Sequence, residues 1–333
     1  MSPIRLNLIR YLIVCQVNSS MVWLSKSLSA EVSLVLGTLI ADRLPTVQAR
    51  PWHKALVPWD ECGGISLLKK SRIKQVPDVS WPIEAVLFTY PGKRTYGDGE
   101  LILWELKLLG NSADHNLFLE IILPALETAA NTVNKDWQPL NCLWGHFNIH
   151  SIYVAKGDQW EPLVDNGKLD LRYPATPLQW SEGLEFHMNS SQKYNSLTWV
   201  TPFDLANYKK ESDYEYRIKR IKPDELPTLK RILESLITRL TQLLPGKRPT
   251  QDDLWSLLGL EDEQFYREIL DQASDIPLRY EAFQLASKSQ PGRWIGKQKF
   301  TSIPDRVIPY LELASIFHIG NHTHFGCGTF VID

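Results

Sequence analysis

The stretch Ile319–Ile332, which reads IGNHTHFGCGTFVI, constrains the fold more than any other part of the sequence. Apolar residues recur at helical spacing before it, at Val307, Leu311, Ala314 and Phe317. Gly320 stands where a helix commonly ends in a left-handed cap, and Gly326 and Gly328 precede an apolar terminal segment. The pattern predicts a helix, a glycine loop and a strand. Because glycine has no Cβ, such a loop would let a polyanion approach the backbone closely.

Upstream, the second half of the chain shows a regular order of elements. The pattern predicts strands at 184–200, 277–285, 294–301 and 324–332, with helices at 224–244 and 307–319. A further segment at 250–273 carries apolar residues at helical spacing and predicts an inserted helical pair. Without the insertion, the order is β-α-β-β-α-β.

The first half repeats this order. Alternating hydrophobicity predicts strands at 6–17, 84–90, 101–109 and 141–155, and helical spacing predicts helices at 29–44 and 115–132. Pro124 lies inside the second helical pattern and predicts a kink or break. Trp160–Trp180 is rich in Pro, Asp and Gly and is interpreted as a linker.

Two such halves predict an α+β protein made of tandem ferredoxin-like domains with a helical insertion in the second. The expected boundaries are 1–160 for the N-terminal domain and 181–333 for the C-terminal domain, which carries the glycine-rich loop.

Composition limits the function classes. The 333 residues are 44% hydrophobic, the formal net charge is −2 and the sequence pI is about 6.5, so any nucleic-acid contact must be a local patch. The four cysteines lack metal-ligand spacing, and no Cys/His or carboxylate cluster predicts a metal site. No segment predicts a membrane span, and we expect a cytoplasmic protein. Without a P-loop or dinucleotide motif, no cofactor is predicted.

Two basic segments are candidate RNA contacts, because each places cations beside aromatic residues that could stack on unpaired bases. The first is Lys209–Lys222, with neighbouring Tyr208, Tyr214 and Tyr216. The second is Lys288–Lys299, which contains Arg293, Trp294, Lys297 and Lys299. The alternative for both segments is an ordinary solvated face.

The glycine pattern GxxxxxGxG, with His322, Thr323 and His324 inside it, resembles the C-terminal loop of RAMP-superfamily endoribonucleases that process CRISPR repeat RNA, the sixth CRISPR-associated protein family. Two other stretches resemble family features in the right order: TYGDGELILWELKLLG at Thr95–Gly110 and LTWVTPFDL at Leu197–Leu205. A helix at 223–244 follows where the family has one. The resemblance runs from about residue 83 to the end, and residues 1–80 resemble the family by position alone.

The resemblance implies the tandem ferredoxin-like architecture and an RNA-binding glycine loop. It also implies cleavage without metal or cofactor by attack of the 2′-hydroxyl, which leaves a 2′,3′-cyclic phosphate and a 5′-hydroxyl. The implied partners are CRISPR repeat RNA and a CRISPR effector complex. The expected RNA-binding residues are Gly320, His322, His324, Gly326, Gly328, Arg293, Lys297 and Lys299.

The family does not fix its catalytic histidine in a motif, so the candidate comes from position. His53 follows the first predicted helix in a polar segment, with Lys54 beside it, and both are expected to be catalytic. A packing role for His53 beside Trp52 is the alternative. His146 and His150 are second candidates, followed by the loop histidines. His115, His187 and His318 are expected to be structural.

Other functions stay open at this stage. A RAMP subunit that only holds guide RNA would share the fold and the loop, and a protein-interaction module would need an exposed apolar surface, which twelve tryptophans permit. A Cys-His hydrolase built on Cys62 is weakly supported, because Gly63 and Gly64 after it indicate a turn.

Overall fold

The computed structural model describes residues 6–70, 76–90, 92–184, 193–205, 221, 225–246, 249–258 and 260–333. The chain forms two compact units. One comprises Arg5–Leu184 together with Lys288–Gln290, and the other comprises Glu185–Ser287 and Pro291–Asp333. No helix in the described ranges is both long and apolar enough to cross a bilayer.

The N-terminal unit contains eight named strands and four α-helices among its described residues. The strands are β1 (Leu8–Val17), β2 (Val22–Trp23), β3 (Ala85–Thr89), β4 (Thr95–Tyr96), β5 (Leu101–Leu109), β6 (Phe147–Lys156), β7 (Gln159–Asp165) and β8 (Lys168–Leu169). The helices are α1 (Leu28–Arg43), α2 (Thr46–Cys62), α3 (His115–Leu117) and α4 (Leu123–Asn131). The main sheet has the order β3-β5-β1-β6-β7-β8 and is antiparallel, while β2 and β4 form a separate ribbon. Its first four strands follow the ferredoxin-like order.

The segment 160–180 is wrongly interpreted as a linker, because its first part forms β7, β8 and their turn, and all of it belongs to the N-terminal unit. Strands β7 and β8 are joined at Asn166 and Gly167, which have φ angles of 47° and 73°. Asn-Gly with two positive φ angles is the usual connection of a tight hairpin. Trp180 closes the unit, since it is buried and its Nε1 donates to the Leu6 carbonyl at 2.9 Å. Polar turn residues here belong to a hairpin.

The helical segment after β5 changes geometry at the predicted position. Residues Phe118–Ile122 form a π-helical turn, and α4 begins at Leu123 with Pro124 in its first turn. Proline has no N–H to donate, and its ring would clash with the carbonyl four residues earlier in a regular α-helix. A wider π-helical turn before Pro124 accommodates both properties. Phe118 in this turn stacks on Tyr11 with ring centroids 3.8 Å apart, which fixes the helix against β1.

The face of the main sheet opposite Tyr11 holds buried charges. Arg10 and Lys107 are paired in register across β1 and β5, and Arg10 Nε contacts Glu105 Oε1 at 2.5 Å. Glu105 and Lys107 are each almost fully buried. Burial opposes ionisation of Glu105, yet Arg10 and Lys107 hold the pKa of its carboxyl below the usual value. Burial also lowers the pKa of Lys107 to about 8.

The C-terminal unit has four named strands: β9 (Ser196–Trp199), β10 (Leu278–Leu285), β11 (Trp294–Phe300) and β12 (Phe330–Ile332). Its helices are α5 (Leu229–Gln242), α6 (Gln251–Leu258), α7 (Leu260–Ser274) and α8 (Ile308–Phe317). The antiparallel sheet has the order β10-β11-β9-β12, which is again the ferredoxin-like order. The predicted tandem ferredoxin-like fold is confirmed, and α6 with α7 forms the inserted pair.

Two strands of this unit are shorter than the sequence pattern indicates. The last strand contains three residues, because Thr323–Phe325 form a 3₁₀ turn before it. Strand β9 starts at Ser196, whereas the apolar pattern extends upstream into residues 185–192, which lie outside the described ranges. Aromatic rings fill the core beneath β9, where Trp199 lies 4.1 Å from Phe203 and 4.9 Å from Phe330 between centroids.

Candidate nucleic-acid interface

The glycine loop of the C-terminal unit is held against the segment Pro202–Leu205. Asn321 N donates to the Asp204 carbonyl at 2.8 Å, and Gly328 N donates to the Pro202 carbonyl at 3.0 Å. Leu197–Leu205 and the glycine loop are the two stretches of this unit on which the family resemblance rests. The fold therefore brings these two sequence signals into direct contact.

Gly320 and Gly328 are required by the close approach of the protein's own backbone. Both have positive φ angles, 85° and 82°. A Cβ on Gly320 would lie 2.4 Å from the Asp204 carbonyl oxygen, and one on Gly328 would lie 1.9 Å from the Ile319 carbonyl oxygen. Real Cβ atoms do not come so close, so the missing side chains make room for the loop itself. The expectation that these glycines bind RNA stays a prediction.

His318 fixes the loop from inside. Its ring is fully buried, and Nδ1 lies 3.1 Å from the carbonyl oxygens of both Gly326 and Cys327. Since both partners are acceptors, Nδ1 carries the proton and donates to them. His318 therefore has the structural role expected from the sequence.

The two histidines within the loop occupy different environments. His324 is buried and packs edge-on against Phe325 at 5.2 Å between ring centroids. His322 is half-buried in a left-handed conformation with φ of 59°. His322 is therefore the more accessible candidate for a phosphate contact.

A cleft that the sequence patterns did not single out lies beside the loop. It has a volume of about 530 Å³ and runs along α5, with Gly320 and Asn321 on one side and Lys230 and Arg231 on the other. Arg231 Nη2 donates to the Leu205 carbonyl at 3.4 Å, which ties the helix to the segment under the loop. The amphipathic pattern of α5 predicts its polar face but cannot say which loop that face meets. The lining also includes Arg239 and the acids Asp204 and Glu234, so the cleft has a mixed charge with cations in excess by one.

Of the four cations in the second basic segment, Lys288, Lys297 and Lys299 are exposed, and the last two lie on the solvent-facing side of β11. Lys297 and Lys299 alternate with buried residues along β11 and are exposed. Tyr280 lies opposite Lys299 on β10 and is 59% exposed. Lys297 also contacts Asp333 Oδ2 at 3.2 Å, where both side chains remain about half exposed. The stripe therefore combines an aromatic ring with two cations.

Arg293 and Trp294 do not match the surface role expected for them. The Arg293 guanidinium contacts Glu225 Oε1 at 2.9 Å, and their side chains are 14% and 2% exposed. Trp294 is buried under the same arginine. The segment Lys288–Lys299 comprises the loop before β11 and most of that strand, so its strand residues alternate between the two faces of the sheet. Sequence clustering alone cannot separate those faces.

In the N-terminal unit, His53 lies within a helix. Ala49, Trp52, Leu56 and Trp59 form the buried stripe of α2, whereas His53, Lys54 and Arg50 are exposed, with His53 at the flank of the stripe. Pro51 and Pro58 are tolerated inside the helix at the loss of two backbone hydrogen bonds. Packing by Trp52 therefore does not bury His53, whose imidazole makes no hydrogen bond with the described residues.

The remaining histidine candidates are less accessible to a substrate or lie elsewhere. His150 is the bulged residue of β6 opposite β1, and it and His146 are half-buried. His115 Nδ1 contacts the Tyr11 hydroxyl at 3.0 Å, and burial lowers the pKa of its imidazole. His187 and the basic segment Lys209–Lys222 lie outside the described residues. Within the described ranges, no group of three or more His, Cys, Asp or Glu side chains could hold a metal ion.

Comparison with known proteins supports the resemblance found in the sequence. Residues 197–330, which are 134 of the 333, match the model of the family described as "CRISPR-associated endoribonuclease Cas6". The predicted resemblance to a RAMP-superfamily CRISPR repeat-processing endoribonuclease is therefore confirmed. The matched region contains nearly all of β9, the segment Pro202–Leu205 beneath the glycine loop, and the glycine loop itself. Curated proteins give no match.

Solved structures share the fold. A chain of a "Partial Cas6-RT-Cas1--Cas2 complex" superposes with a TM-score of 0.50 at 11% identity, covering 99% of this chain and 46% of the other. A chain of a "Cas6-RT-Cas1--Cas2 complex" gives the same score and identity and is covered to 29%. A Cas6 product complex gives a TM-score of 0.48 at 15% identity, covering 98% of this chain and all of the other. The chain thus spans less than half the length of the first two.

Proposed function

We propose that this chain is an endoribonuclease of the Cas6 type that cuts CRISPR repeat RNA in precursor transcripts. The observation that carries the proposal is the family match over residues 197–330, because it covers the glycine loop and the segment Pro202–Leu205 that holds the loop in place. The exposed lysines of β11 and the cations beside the loop supply the local positive charge that binding to RNA needs in an otherwise slightly acidic protein.

The proposed reaction needs no metal, because RNA carries its own nucleophile. The 2′-oxygen attacks the adjacent phosphorus and loses its proton to a base, the bond from phosphorus to the 5′-oxygen breaks, and that oxygen gains a proton from an acid. The products are a 2′,3′-cyclic phosphate and a 5′-hydroxyl. We assign one of the proton transfers to His53, whose side chain is exposed and whose residue type titrates near neutral pH. Lys54 is assigned to stabilise charge on the phosphate.

A non-cleaving subunit that holds guide RNA is the second candidate function. It is favoured by the absence of any hydrogen bond between His53 and the described residues, because catalytic imidazoles are commonly oriented by a neighbouring group. Both candidates place repeat RNA on the glycine loop. By analogy with the longer complexes named above, we also propose that the chain associates with other CRISPR proteins.

Cleavage in the presence of excess EDTA tests the proposed reaction. We expect labelled repeat RNA to be cut at an unchanged rate in EDTA. The 3′ end of the upstream product should resist ligation through its hydroxyl until the cyclic phosphate is opened and then removed by a phosphatase. An RNA with a 2′-deoxyribose at the scissile nucleotide is the matched control and should remain intact. Loss of cutting in EDTA that magnesium restores would contradict metal independence. Binding of the repeat without cutting under any condition would favour the holding subunit.

The salt dependence of RNA affinity tests the β11 stripe. Each phosphate contact that is lost should reduce the slope of log affinity against log salt concentration by about 0.7 to 0.9. We therefore expect Lys297→Ala and Lys299→Ala each to lower the slope by about that amount, measured by fluorescence anisotropy with an uncleavable repeat. Lys168→Ala, on an exposed strand of the other unit, is the control. Unchanged slopes in both β11 variants would remove the stripe from the RNA path.

A further inference from the structure

The N-terminal unit contains a cavity that the proposed cleavage reaction does not use. Its volume is about 490 Å³, and it opens between the start of α1 and the ribbon formed by β2 and β4. This volume lies within the range of pockets that hold small organic ligands. Its lining includes Trp23, Lys26, Glu31, Arg94 and Asn141.

Glu31 is the polar group at the base of this cavity. The residue is 92% buried, and its Oε1 accepts a hydrogen bond from Trp144 Nε1 at 2.7 Å. Burial raises the pKa of this carboxyl, and the Trp144 indole and the nearby Ser25 hydroxyl oppose that rise. Ser25 Oγ itself has no hydrogen-bond partner within 3.5 Å among the described residues, so the carboxyl keeps acceptor capacity beyond the bond from Trp144. Burying a carboxyl group without partners is costly, so an oxygen left open toward a cavity is suited to a ligand that donates hydrogen bonds.

The rim of the cavity has the opposite charge. Lys26 and Arg94 are exposed, and neither forms an ion pair with the described residues. Backbone hydrogen bonds hold the ribbon at this rim, since Leu24 N donates to the Arg94 carbonyl at 2.8 Å and Trp23 N donates to the Asn141 carbonyl at 2.7 Å. Lys26 precedes the N-cap residue Ser27 of α1, and the amino end of a helix favours anions. A cationic ligand would be repelled at this rim, whereas a phosphate would be attracted.

Trp23 supplies a flat apolar surface at the same opening. Its indole is 59% exposed although its residue belongs to the short strand β2, which pairs with Thr95 of β4. Exposed aromatic rings next to cations are the usual means of binding unpaired bases, because every base has a face that can stack.

We propose that this cavity binds an unstacked guanine nucleotide, with Glu31 accepting from the guanine N1–H and N2–H groups, Trp23 stacking on the base, and Arg94 and Lys26 holding the phosphate. Guanine alone among the four bases presents two adjacent donors that match one carboxylate. Adenine and cytosine place an acceptor beside their amino group, and uracil flanks its single donor with acceptors. The proposal deepens the proposed function, on which it rests for the source of the nucleotide, namely a repeat RNA.

Binding of mononucleotides tests the pocket apart from cleavage. Calorimetric titration of the full chain should show that guanosine 5′-monophosphate binds about tenfold more tightly than inosine 5′-monophosphate, which lacks the N2 amino group, or adenosine 5′-monophosphate. Glu31→Gln keeps an acceptor for Trp144 but offers an amide where guanine needs a second acceptor, so it should remove this preference. Glu127→Gln, an exposed position on α4, is the matched control. Arg94→Ala should reduce the advantage of the nucleotide over free guanosine, and Lys26→Ala in the same chain should remove what is left.

Equal binding of the three nucleotides, no binding of guanosine 5′-monophosphate at millimolar concentration, or full preference in a Glu31→Gln protein would each overturn the proposal. Thermal unfolding of Glu31→Gln establishes that the variant is folded, and if it is not, the comparison of guanine with hypoxanthine in the wild-type chain decides alone. Normal repeat cleavage without guanine preference would reject the pocket and leave the endoribonuclease standing. Guanine preference without cleavage would support the pocket and reject the endoribonuclease.

Discussion

His53→Ala is expected to lower the single-turnover rate of repeat-RNA cleavage by about 10² to 10⁴-fold, the usual contribution of a general acid or base. The side chain lies on the exposed surface of α2, and no described residue depends on it for packing or hydrogen bonding. Its loss should therefore leave folding and repeat affinity nearly unchanged. The measurement is cleavage at saturating protein, with affinity determined separately on an RNA that carries a 2′-deoxyribose at the scissile position.

Gln48→Ala is the control for this experiment, because Gln48 is exposed on the same helix and cannot transfer a proton at neutral pH. It should cut normally. Cutting by His53→Ala at close to the wild-type rate would contradict the assignment and direct attention to His322, His146 and His150. A variant that loses affinity and rate together would instead place His53 in binding.

Gly328→Ala is expected to destabilise the C-terminal unit by about 3 to 5 kcal/mol, a large effect for one methyl group. The new Cβ would lie 1.9 Å from the Ile319 carbonyl oxygen, and it would also lie about 3 Å from two further backbone atoms of that residue. Backbone cannot move aside as a flexible side chain can, so the loop would have to separate from α8. Chemical unfolding followed by tryptophan fluorescence measures the loss.

Gly246→Ala separates the two contributions to that loss. Gly246 also has a positive φ, of 127°, but an added Cβ would meet no atom within 4 Å. It should therefore report the conformational cost alone, about 1 to 2 kcal/mol. If Gly328→Ala cost no more than Gly246→Ala, the close approach to Ile319 would not be what requires glycine at position 328.

Most helices and strands follow from residue patterns in the sequence. The elements that the patterns do not predict have local causes. Alternation along Trp294–Phe300 indicates burial on one face, which the sheet of the C-terminal unit then provides, whereas Leu101–Leu109 alternates only at its start and is buried on both faces from Trp104 onward. Helix α2 is hard to predict from the sequence, because Pro51 and Pro58 interrupt a pattern that nevertheless keeps four buried residues at helical spacing. The Asn166-Gly167 pair does signal a hairpin, but the surrounding Pro and Asp residues favoured a linker.

The functional surfaces were harder to predict than the fold because charge in sequence does not report pairing in space. Arg293 is close in sequence to Lys297 but is neutralised by Glu225, which lies 68 positions earlier in the chain. Glu31 looks like an ordinary first-turn acid of a helix, and only the cavity beside it gives the carboxyl a further use. Such groups are identified by partners that are remote in sequence.

The buried Lys107 between β1 and β5 contributes a stability that increases as the pH rises into the alkaline range. The pKa of Lys107 is about 8 in the folded protein against 10.5 for an unburied lysine, because burial disfavours its charged form. Between these two pH values the unfolded chain binds a proton that the folded chain has released. By proton linkage, this lysine's contribution to stability therefore rises as the pH increases through that window, and below pH 8 its penalty is complete.

The buried thiol of Cys15, whose pKa burial raises to about 12, acts in the opposite sense above pH 9, because the unfolded thiol ionises first. Lys107 and Cys15 lie in the paired strands β5 and β1. As the pH rises above 9, the stability gained from Lys107 therefore offsets the stability lost through Cys15.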